Sequence, residues 1–229
     1  MSPSASKGLV DWPRLDEQAR RVLLDGLLER LPPWLELLEL GSAQPRFTDS
    51  RSGETWRLFC GGRLTMGVTP ERLEAIEAFQ RLEPMTLFDP TVYWPVREVT
   101  LAAFFLMESV IAVRGEPRFF FNDVKGEQAV LLAERCQRLP SEAEWEFAWW
   151  ALQRQRSHWD VGTSELCADG WRPQLLELAA VNPLVPGGPE VVRSASFDAR
   201  TLDSVFPSRL PLSLVRLVTI RPALDVPGG

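Results

Sequence analysis

The sequence predicts an α+β fold, and two kinds of pattern carry that prediction. Some stretches repeat apolar residues at three- and four-residue steps, which is the spacing of one helix face. Others are short, rich in β-forming residues and bounded by Gly or Pro, which is typical of strands. The chain has 229 residues, of which 45% are hydrophobic and 24% are charged. It therefore has enough apolar surface for a packed core, as one large domain or two small ones.

The first predicted element is an amphipathic helix over Asp16–Leu31. The prolines that follow it end it, and its apolar positions are Ala19, Val22, Leu23, Leu27, Leu28 and Leu31. A helix of this length is marginal in water by itself, so its leucine stripe needs a surface to pack on. The stripe docks either on the rest of this chain or on another protein, which makes this helix a candidate docking element.

The stretch after this helix predicts a change of organisation. Trp34–Leu40 is expected to form a further short helix, because its glutamates and leucines fall on different faces. Gly41–Ser52 is polar and contains Gly, Ser and Pro, so it predicts a linker. We therefore divide the chain into an N-terminal helical segment with its linker, 1–50, and a main domain, 51–229.

The first half of the main domain predicts strands around one helix. Thr55–Thr65 is rich in β-forming residues and holds two adjacent glycines, which predicts a hairpin. A helix begins with proline at its first position, Pro70, and its apolar periodicity continues to Leu82. Val96–Val113 then contains two short apolar strands.

The second half predicts two helices followed by two strands. The helices cover Gly126–Gln137 and Ser141–Arg154, and the first residue of the latter forms a capping box with Glu144. Strands are predicted around Val191–Phe197 and Leu212–Ile220, within a region that is otherwise rich in Pro and Gly.

Charge and histidine content exclude several classes of function. The chain has 25 basic and 31 acidic residues, a net charge of −6, which disfavours nucleic-acid binding because phosphate contacts need a basic surface. The single histidine, His158, excludes metal sites built on two or three histidines. It lies beside Asp160, but neighbouring residues seldom point the same way, so we expect no acid–base pair there.

The cysteines and the N-terminus predict a cytoplasmic protein. Cys60, Cys136 and Cys167 are 76 and 31 residues apart, which matches no zinc pattern and favours reduced thiols. The N-terminus has no apolar signal region, and the longest apolar run is interrupted by Glu108. We therefore expect neither secretion nor a membrane span.

One stretch carries a specific resemblance. Residues 138–148 read RLPSEAEWEFA, which differs by two conservative changes from the RLPTEAEWEYA signature of the formylglycine-generating enzyme, or sulfatase-modifying factor, family. Further segments resemble the family in the same order: the GGRLTMG run after Cys60, the strand after Pro95, the DGW of 169–171, and the segments around Arg193 and Val215. The resemblance covers roughly residues 55–222.

This resemblance implies a compact, irregular mixed domain related to the C-type lectin fold. The signature residues are expected to be structural: Ser141 caps a helix, and Trp145 enters the core. Charge-assisted hydrogen bonds are expected around the helix start. The residues of this structural motif are Arg138, Glu142, Glu144, Trp145 and Glu146.

The resemblance also shows what is missing. Oxidases of the family bind copper through two cysteines about five residues apart, because Cu(I) prefers thiolate sulfur. The corresponding run here, Ser196–Arg209, has no cysteine, and related enzymes that use iron need several histidines. The loop at Val161–Cys167 lacks the Asn and Trp residues of the family's calcium loop. We therefore expect a degenerate member, a pseudoenzyme, with no catalytic residue, metal or cofactor.

Aromatic residues suggest where a partner binds. Trp159 and Trp171 lie in the loop-rich region that forms the groove side in this family, and exposed Trp beside Arg and Asp is typical of binding hot spots. The alternative is ordinary core or rim packing. The candidate binding residues are Trp159, Asp160, Asp169, Trp171, Arg172 and Arg193.

These observations together favour a bacterial-type, cytoplasmic, non-catalytic module that binds a protein or peptide within a larger complex. A first alternative is a metal-dependent oxidase that modifies a peptide cysteine, or a related oxygen-dependent enzyme, which requires distant cysteines to meet in space. A second is a small-ligand receptor that uses a lectin-like pocket lined by Trp159, Trp171 and Arg193.

Overall fold

The computed structural model describes residues 15–40, 44–82, 90–93, 95–112, 132, 137–153, 164–172, 181–194, 208–211 and 219–227. These ranges contain α-helices and short strands in mostly antiparallel sheets, with a helix at the N-terminal side, which confirms the α+β class. None of the helices in them is both long and apolar enough to cross a membrane.

The helices are α1 (Glu17–Leu28), α2 (Pro70–Leu82) and α3 (Glu142–Gln153), and a short 3₁₀ helix covers Pro90–Tyr93. The strands are β1 (Leu35–Glu39), β2 (Arg46–Asp49), β3 (Thr55–Phe59), β4 (Gly62–Met66), β5 (Arg97–Leu101), β6 (Phe104–Met107), β7 (Ile111–Ala112), β8 (Ser164–Leu166), β9 (Val191–Ser194), β10 (Ser208–Pro211), β11 (Thr219–Ile220) and β12 (Ala223–Asp225).

The first sheet joins strands from distant parts of the chain in the order β1-β2-β3-β6-β12, all antiparallel. Its register aligns Leu37, Phe47, Trp56 and Met107 across four neighbouring strands. Side chains alternate between the two faces of a strand, so these four residues share one face. The other face carries Phe59, Phe104 and Leu106.

A helix covers each face of this sheet. Leu24 and Leu27 of α1 pack with Phe47 and Trp56, while α3 supplies residues such as Ala148 to the cluster on the opposite face. Burial of one leucine side chain stabilises a fold by about 1.5–3 kcal/mol, which a short helix needs to remain in place. Leu24, Leu27, Leu28 and Leu31 therefore pack on this chain, whereas Val22 and Leu23 of the predicted stripe are 66% and 42% exposed.

The second sheet runs β10-β9-β8-β11-β7, with β8 and β11 parallel and the other pairs antiparallel. One face holds Leu166, Val192 and Ile220 in an apolar cluster. The register places Glu165, Arg193 and Arg209 side by side on the opposite face. We call these three residues the charged row.

The strands predicted in Thr55–Thr65 exist, but the predicted hairpin is wrong. β3 pairs with β2 and β6, whereas β4 pairs with β5 in a separate two-stranded sheet. Gly61 allows the chain to pass from β3 in the first sheet to β4 in the two-stranded sheet. It has φ +74°, and a Cβ there would run into the backbone carbonyl of Leu101. Turn glycines mark a change of direction but do not identify the strand that becomes the partner.

The structure also corrects the expectations for residues 34–52. Trp34–Leu40 forms the strand β1 rather than a short helix, and the predicted linker contains β2. A turn with hydrogen bonds from Ser52 and Gly53 to the Asp49 carbonyl joins β2 to β3, so strands on both sides of residue 50 belong to one sheet. Pairing with β2 decides the conformation of β1, which its helical spacing could not show.

Several other elements are confirmed. The first helix is present, although it ends at Leu28, and α2 begins at Pro70 as expected. Val96–Val113 contains three strands rather than two, since β7 follows β5 and β6. The strand expected at Val191 is β9, and Ile220 belongs to β11, while 195–197 and 212–218 lie outside the described residues. Most of the predicted helix Gly126–Gln137 lies outside them too.

Candidate functional site

The start of α3 carries the signature and has the predicted cap. The Glu144 amide donates to Ser141 Oγ at 3.2 Å, and the Ser141 amide donates to Glu144 Oε2 at 2.8 Å. This reciprocal arrangement satisfies two amides that a helix start leaves without intrahelical partners. Arg138 then clamps both oxygens of Glu144, at 2.6 and 2.7 Å. Glu144 is thus held as a structural residue.

The charged row lies directly under α3. Arg193 and Arg209 are cross-strand neighbours, and both donate to the same oxygen of Glu142, at 2.9 and 2.6 Å. Like charges placed opposite each other destabilise a sheet, and the shared carboxylate offsets that repulsion. All three side chains are buried, at 2% exposure or less. Glu142 therefore fastens α3 to two strands at once.

Glu146, one helical turn further along, completes this arrangement. Arg193 Nη2 donates to Glu146 Oε2 at 2.9 Å, and the Trp150 indole donates to the other carboxylate oxygen at 3.2 Å. Arg72 of α2 approaches the same carboxylate at 3.7 Å and lies over the Trp150 ring. A charge inside a protein needs partners on several sides, and Glu146 has them.

Trp145 links the signature to the third member of the charged row. Its indole donates to Glu165 Oε2 at 2.8 Å, and Arg221 forms a two-pronged pair with both oxygens of Glu165, each at 2.8 Å. Arg221 also donates to the carbonyls of Met107 and Glu108 at the end of β6. The pair therefore joins the two large sheets as well as α3.

Asp169 is buried between α3 and the loop before β9. Its carboxylate accepts from the Glu142 amide at 2.5 Å and from the Val185 amide at 2.9 Å. Burial, and then the charge of Glu142, raises the pKa of Asp169 to about 7, although the two amides and Arg209 oppose the shift. The fold therefore holds this carboxyl in its protonated form over a wider pH range than is usual for Asp.

Trp171 and Arg172 form the outer layer of the site. The Arg209 guanidinium lies 4.5 Å from the centre of the Trp171 ring and donates to the Arg172 carbonyl at 2.8 Å. A cation against an aromatic face gains electrostatic energy, most of all where water is excluded. Trp171 is half-buried and the Arg172 side chain is exposed, so these two residues form the solvent-facing side of the site.

The predicted binding residues thus fall into three groups. Trp159 and Asp160, like His158, lie outside the described residues. The structure corrects the expected exposure of Asp169 and Arg193, which are 2% and 0% exposed and are hydrogen-bonded inside the protein. Trp171 and Arg172 remain accessible, and the Arg209 guanidinium contacts the Trp171 ring and the Arg172 carbonyl.

The described cysteines are free thiols, of which Cys167 is buried and Cys60 is half-buried. Burial raises the pKa of Cys60 to about 12 and that of Cys167 well above its usual range, with Asp169 and Glu142 adding to the shift at Cys167. They belong to different apolar clusters, Cys60 beside Phe105 and Cys167 beside Trp149, and Cys136 is outside the described residues. No three or more His, Cys, Asp or Glu residues gather as a metal site in the described ranges.

No family model and no curated protein matches this sequence. The chain resembles the solved structure of PvdO from Pseudomonas aeruginosa. The TM-score is 0.48 and the identity 15%, over 78% of this chain and 97% of that one. The formylglycine-generating-enzyme resemblance stays a prediction from sequence motifs.

Sequence reasoning missed the arginines and the glutamate that complete the site. Arg209, Arg221 and Glu165 are buried at 2% exposure or less, yet nothing in their local sequence marks them as interior residues. The available signal was a single charge flanked by apolar or strand-forming residues, as in the segment around Arg221. That signal is weak, since a strand at the protein surface looks the same.

Proposed function

We propose that this protein is a non-catalytic protein- or peptide-binding module, built on a degenerate formylglycine-generating-enzyme-like domain and acting within a cytoplasmic complex. The observation that carries this proposal is the distribution of exposed apolar side chains. Four of the eight large apolar residues that are strongly exposed among the described residues lie between residues 22 and 38: Val22, Leu23, Leu37 and Leu38. Concentrated apolar exposure is typical of interaction surfaces.

The signature residues support a structural role for the motif. Glu142, Glu144 and Glu146 each hold an arginine, and Trp145 donates to Glu165. A carboxylate that is committed to guanidinium partners inside the protein is poorly placed to bind a substrate. The site therefore acts as a frame that joins α3 to strands of both large sheets.

The proposal can be tested by cross-linking in cells. A photo-reactive amino acid at Val22, which is 66% exposed, should give a discrete adduct with a partner protein. The same substitution at Val96, which is 43% exposed but far along the chain, serves as the matched control. A chain that gives no adduct from any exposed apolar position of residues 22–38 would contradict the proposal.

Metal analysis separates this proposal from the oxidase alternative. Stoichiometric copper or iron in the purified protein, together with oxygen uptake on a cysteine-containing peptide, would overturn the non-catalytic role. The small-ligand alternative has no specific support here, since Arg193, which was expected to line its pocket, is bonded to two buried glutamates.

A further inference from the structure

We propose that the outer edge of β1, at Leu35 and Leu37, binds an extended basic segment of a partner polypeptide, which joins the first sheet as an added strand. This inference rests on the proposed binding function and specifies its surface and mode. It is carried by the hydrogen-bond register of β1, by the exposed side chains beside it and by its charge.

The register shows which backbone groups of β1 point outward. The Ser50 amide donates to the Trp34 carbonyl at 2.9 Å, so residues 34 and 50 form a hydrogen-bonded pair. Hydrogen-bonded pairs alternate with non-hydrogen-bonded pairs along antiparallel strands. Glu36 and Thr48, two residues further along, therefore form the next hydrogen-bonded pair. The backbone groups of Leu35 and Leu37 therefore face away from β2.

The hydrogen bonds between β2 and β3 lead to the same assignment of outward-facing groups in β1. The Asp49 amide donates to the Glu54 carbonyl at 2.9 Å, and the Leu58 amide donates to the Pro45 carbonyl at 3.0 Å. The odd-numbered residues of β2 thus turn toward β3, which leaves its even-numbered residues for β1.

Three backbone groups are available at this edge. The Leu35 amide already donates to the Pro32 carbonyl at 2.9 Å, which leaves the Leu35 carbonyl and both backbone groups of Leu37. No other described strand pairs with β1 on this side. A bulge between Leu37 and Glu39 ends the regular ladder, so an added strand would pair over a short length.

The side chains beside this edge offer both apolar contact and charge. Leu37 and Leu38 are 39% and 53% exposed. Glu36 is exposed, and no described residue forms an ion pair with it, while Glu39 binds Arg46 at 3.1 Å. Edge strands are commonly protected by positive charge, especially lysine, but here the free charge is negative. A segment that alternates basic and apolar residues complements both features.

A second copy of this chain is a poorer occupant. Antiparallel pairing of β1 with itself about Leu37 would bring the glutamates of both copies, Glu36 and Glu39, to one seam. Like charges close together across strands destabilise the pairing, and the chain as a whole carries a net charge of −6. The charge therefore favours a basic partner segment over self-association.

The test uses the full chain and a synthetic peptide of alternating lysine and valine, with an alternating glutamate and valine peptide as its matched control. We expect the basic peptide to bind at least about tenfold more tightly than the acidic one, as measured by fluorescence anisotropy. Amide hydrogen exchange at Leu37 should slow by at least about tenfold in the bound state.

Two variants test the edge itself. Leu37→Pro removes an amide that no described group uses, and edge positions of that kind tolerate proline, so the variant should fold and lose at least about tenfold in affinity. If Leu37→Pro does not fold, Glu36→Lys takes its place, and it should reverse the preference between the two peptides.

Three results would overturn the inference. They are absence of basic-peptide binding, equal binding to the wild-type protein and Leu37→Pro, and protection of the Leu37 amide by self-association instead of by peptide. If cross-linking through Val22 captures a partner while the Leu37 amide stays unprotected in that complex, the proposed binding function stands and the strand-edge mode is wrong. If neither a partner nor the peptide binds, both are wrong.

Discussion

Arg221 and Glu165 face each other in the interior through two parallel hydrogen bonds of 2.8 Å, and neither side chain is more than 2% exposed. Glu165 belongs to the second sheet, while Arg221 also reaches the end of β6 in the first. A two-pronged pair fixes distance and orientation together. This contact is therefore one of those that fix how the two large sheets meet.

Removal of Arg221 should cost much more stability than removal of a surface arginine. Arg221→Met leaves Glu165 charged and buried without its two-pronged guanidinium partner, so we expect a loss of about 3–5 kcal/mol in the free energy of unfolding. Arg21→Met, which breaks the exposed pair with Glu17, should change it by less than about 0.5 kcal/mol. Urea unfolding curves measure both, and equal losses would contradict the structural role of the buried pair.

Asp169 should make stability depend on pH between about 4 and 7. Its pKa is raised from 3.8 to about 7 on folding, so the folded state holds a proton that the unfolded state has released. The contribution of this carboxyl is therefore fully present below pH 3.8 and is lost as pH rises through 7. Asp169→Asn, which stays neutral, should reduce that pH dependence in denaturation measured across the range. Equal slopes in the wild-type protein and in Asp169→Asn would contradict this role of Asp169.

The described cysteines should resist alkylation in the folded protein. Thiolate is the reactive form, and the raised pKa of Cys60, about 12, and of Cys167 keeps both thiols protonated near neutral pH. Iodoacetamide should label both at least about 100-fold more slowly in the native protein than in urea, as followed by peptide mass spectrometry. Rapid native labelling of Cys60 would mean that its surroundings are more open than the structure shows.

Two glycines with similar backbone angles should respond differently to alanine. Gly53 has φ +76° and open space around it, whereas a Cβ at Gly61, with φ +74°, meets the Leu101 carbonyl. Gly53→Ala should cost about 1–2 kcal/mol for the left-handed conformation alone. Gly61→Ala should cost at least about 3 kcal/mol, since the clash adds to that strain. Similar losses of stability in chemical denaturation would show that the left-handed backbone conformation, and not the contact with the Leu101 carbonyl, accounts for the cost at both sites.

Sequence patterns correctly predicted the features that depend on neighbouring residues, such as helix starts and caps. The cap of α3 follows from Ser141 and Glu144 being three residues apart, and the proline at position 70 marks a helix start that any tertiary context would accept. The structural role expected for Arg138 and Trp145 also has visible partners, Glu144 and Glu165.

Long-range pairing decided the rest. β1 has the spacing of a helix and becomes a strand because β2 is available beside it. In the sequence, Arg193 and Arg209 look like surface charges. They are interior residues because β9 and β10 pair and bring both to Glu142, which lies 51 and 67 residues away in sequence. No window of neighbouring residues contains that information, so the interior position of these arginines could not be inferred from the chain alone.

The order of strands in the first sheet also affects how this protein is made. β6 is flanked by β3 on one side and by β12 on the other, so one flank of this apolar strand is exposed on the nascent chain until residues 223–225 leave the ribosome. Folding of the sheet must wait for that last strand, and during the delay β6 can pair with other polypeptides. Synthesis at reduced temperature or with a trigger chaperone should therefore raise the yield of folded protein more than changes at its surface do.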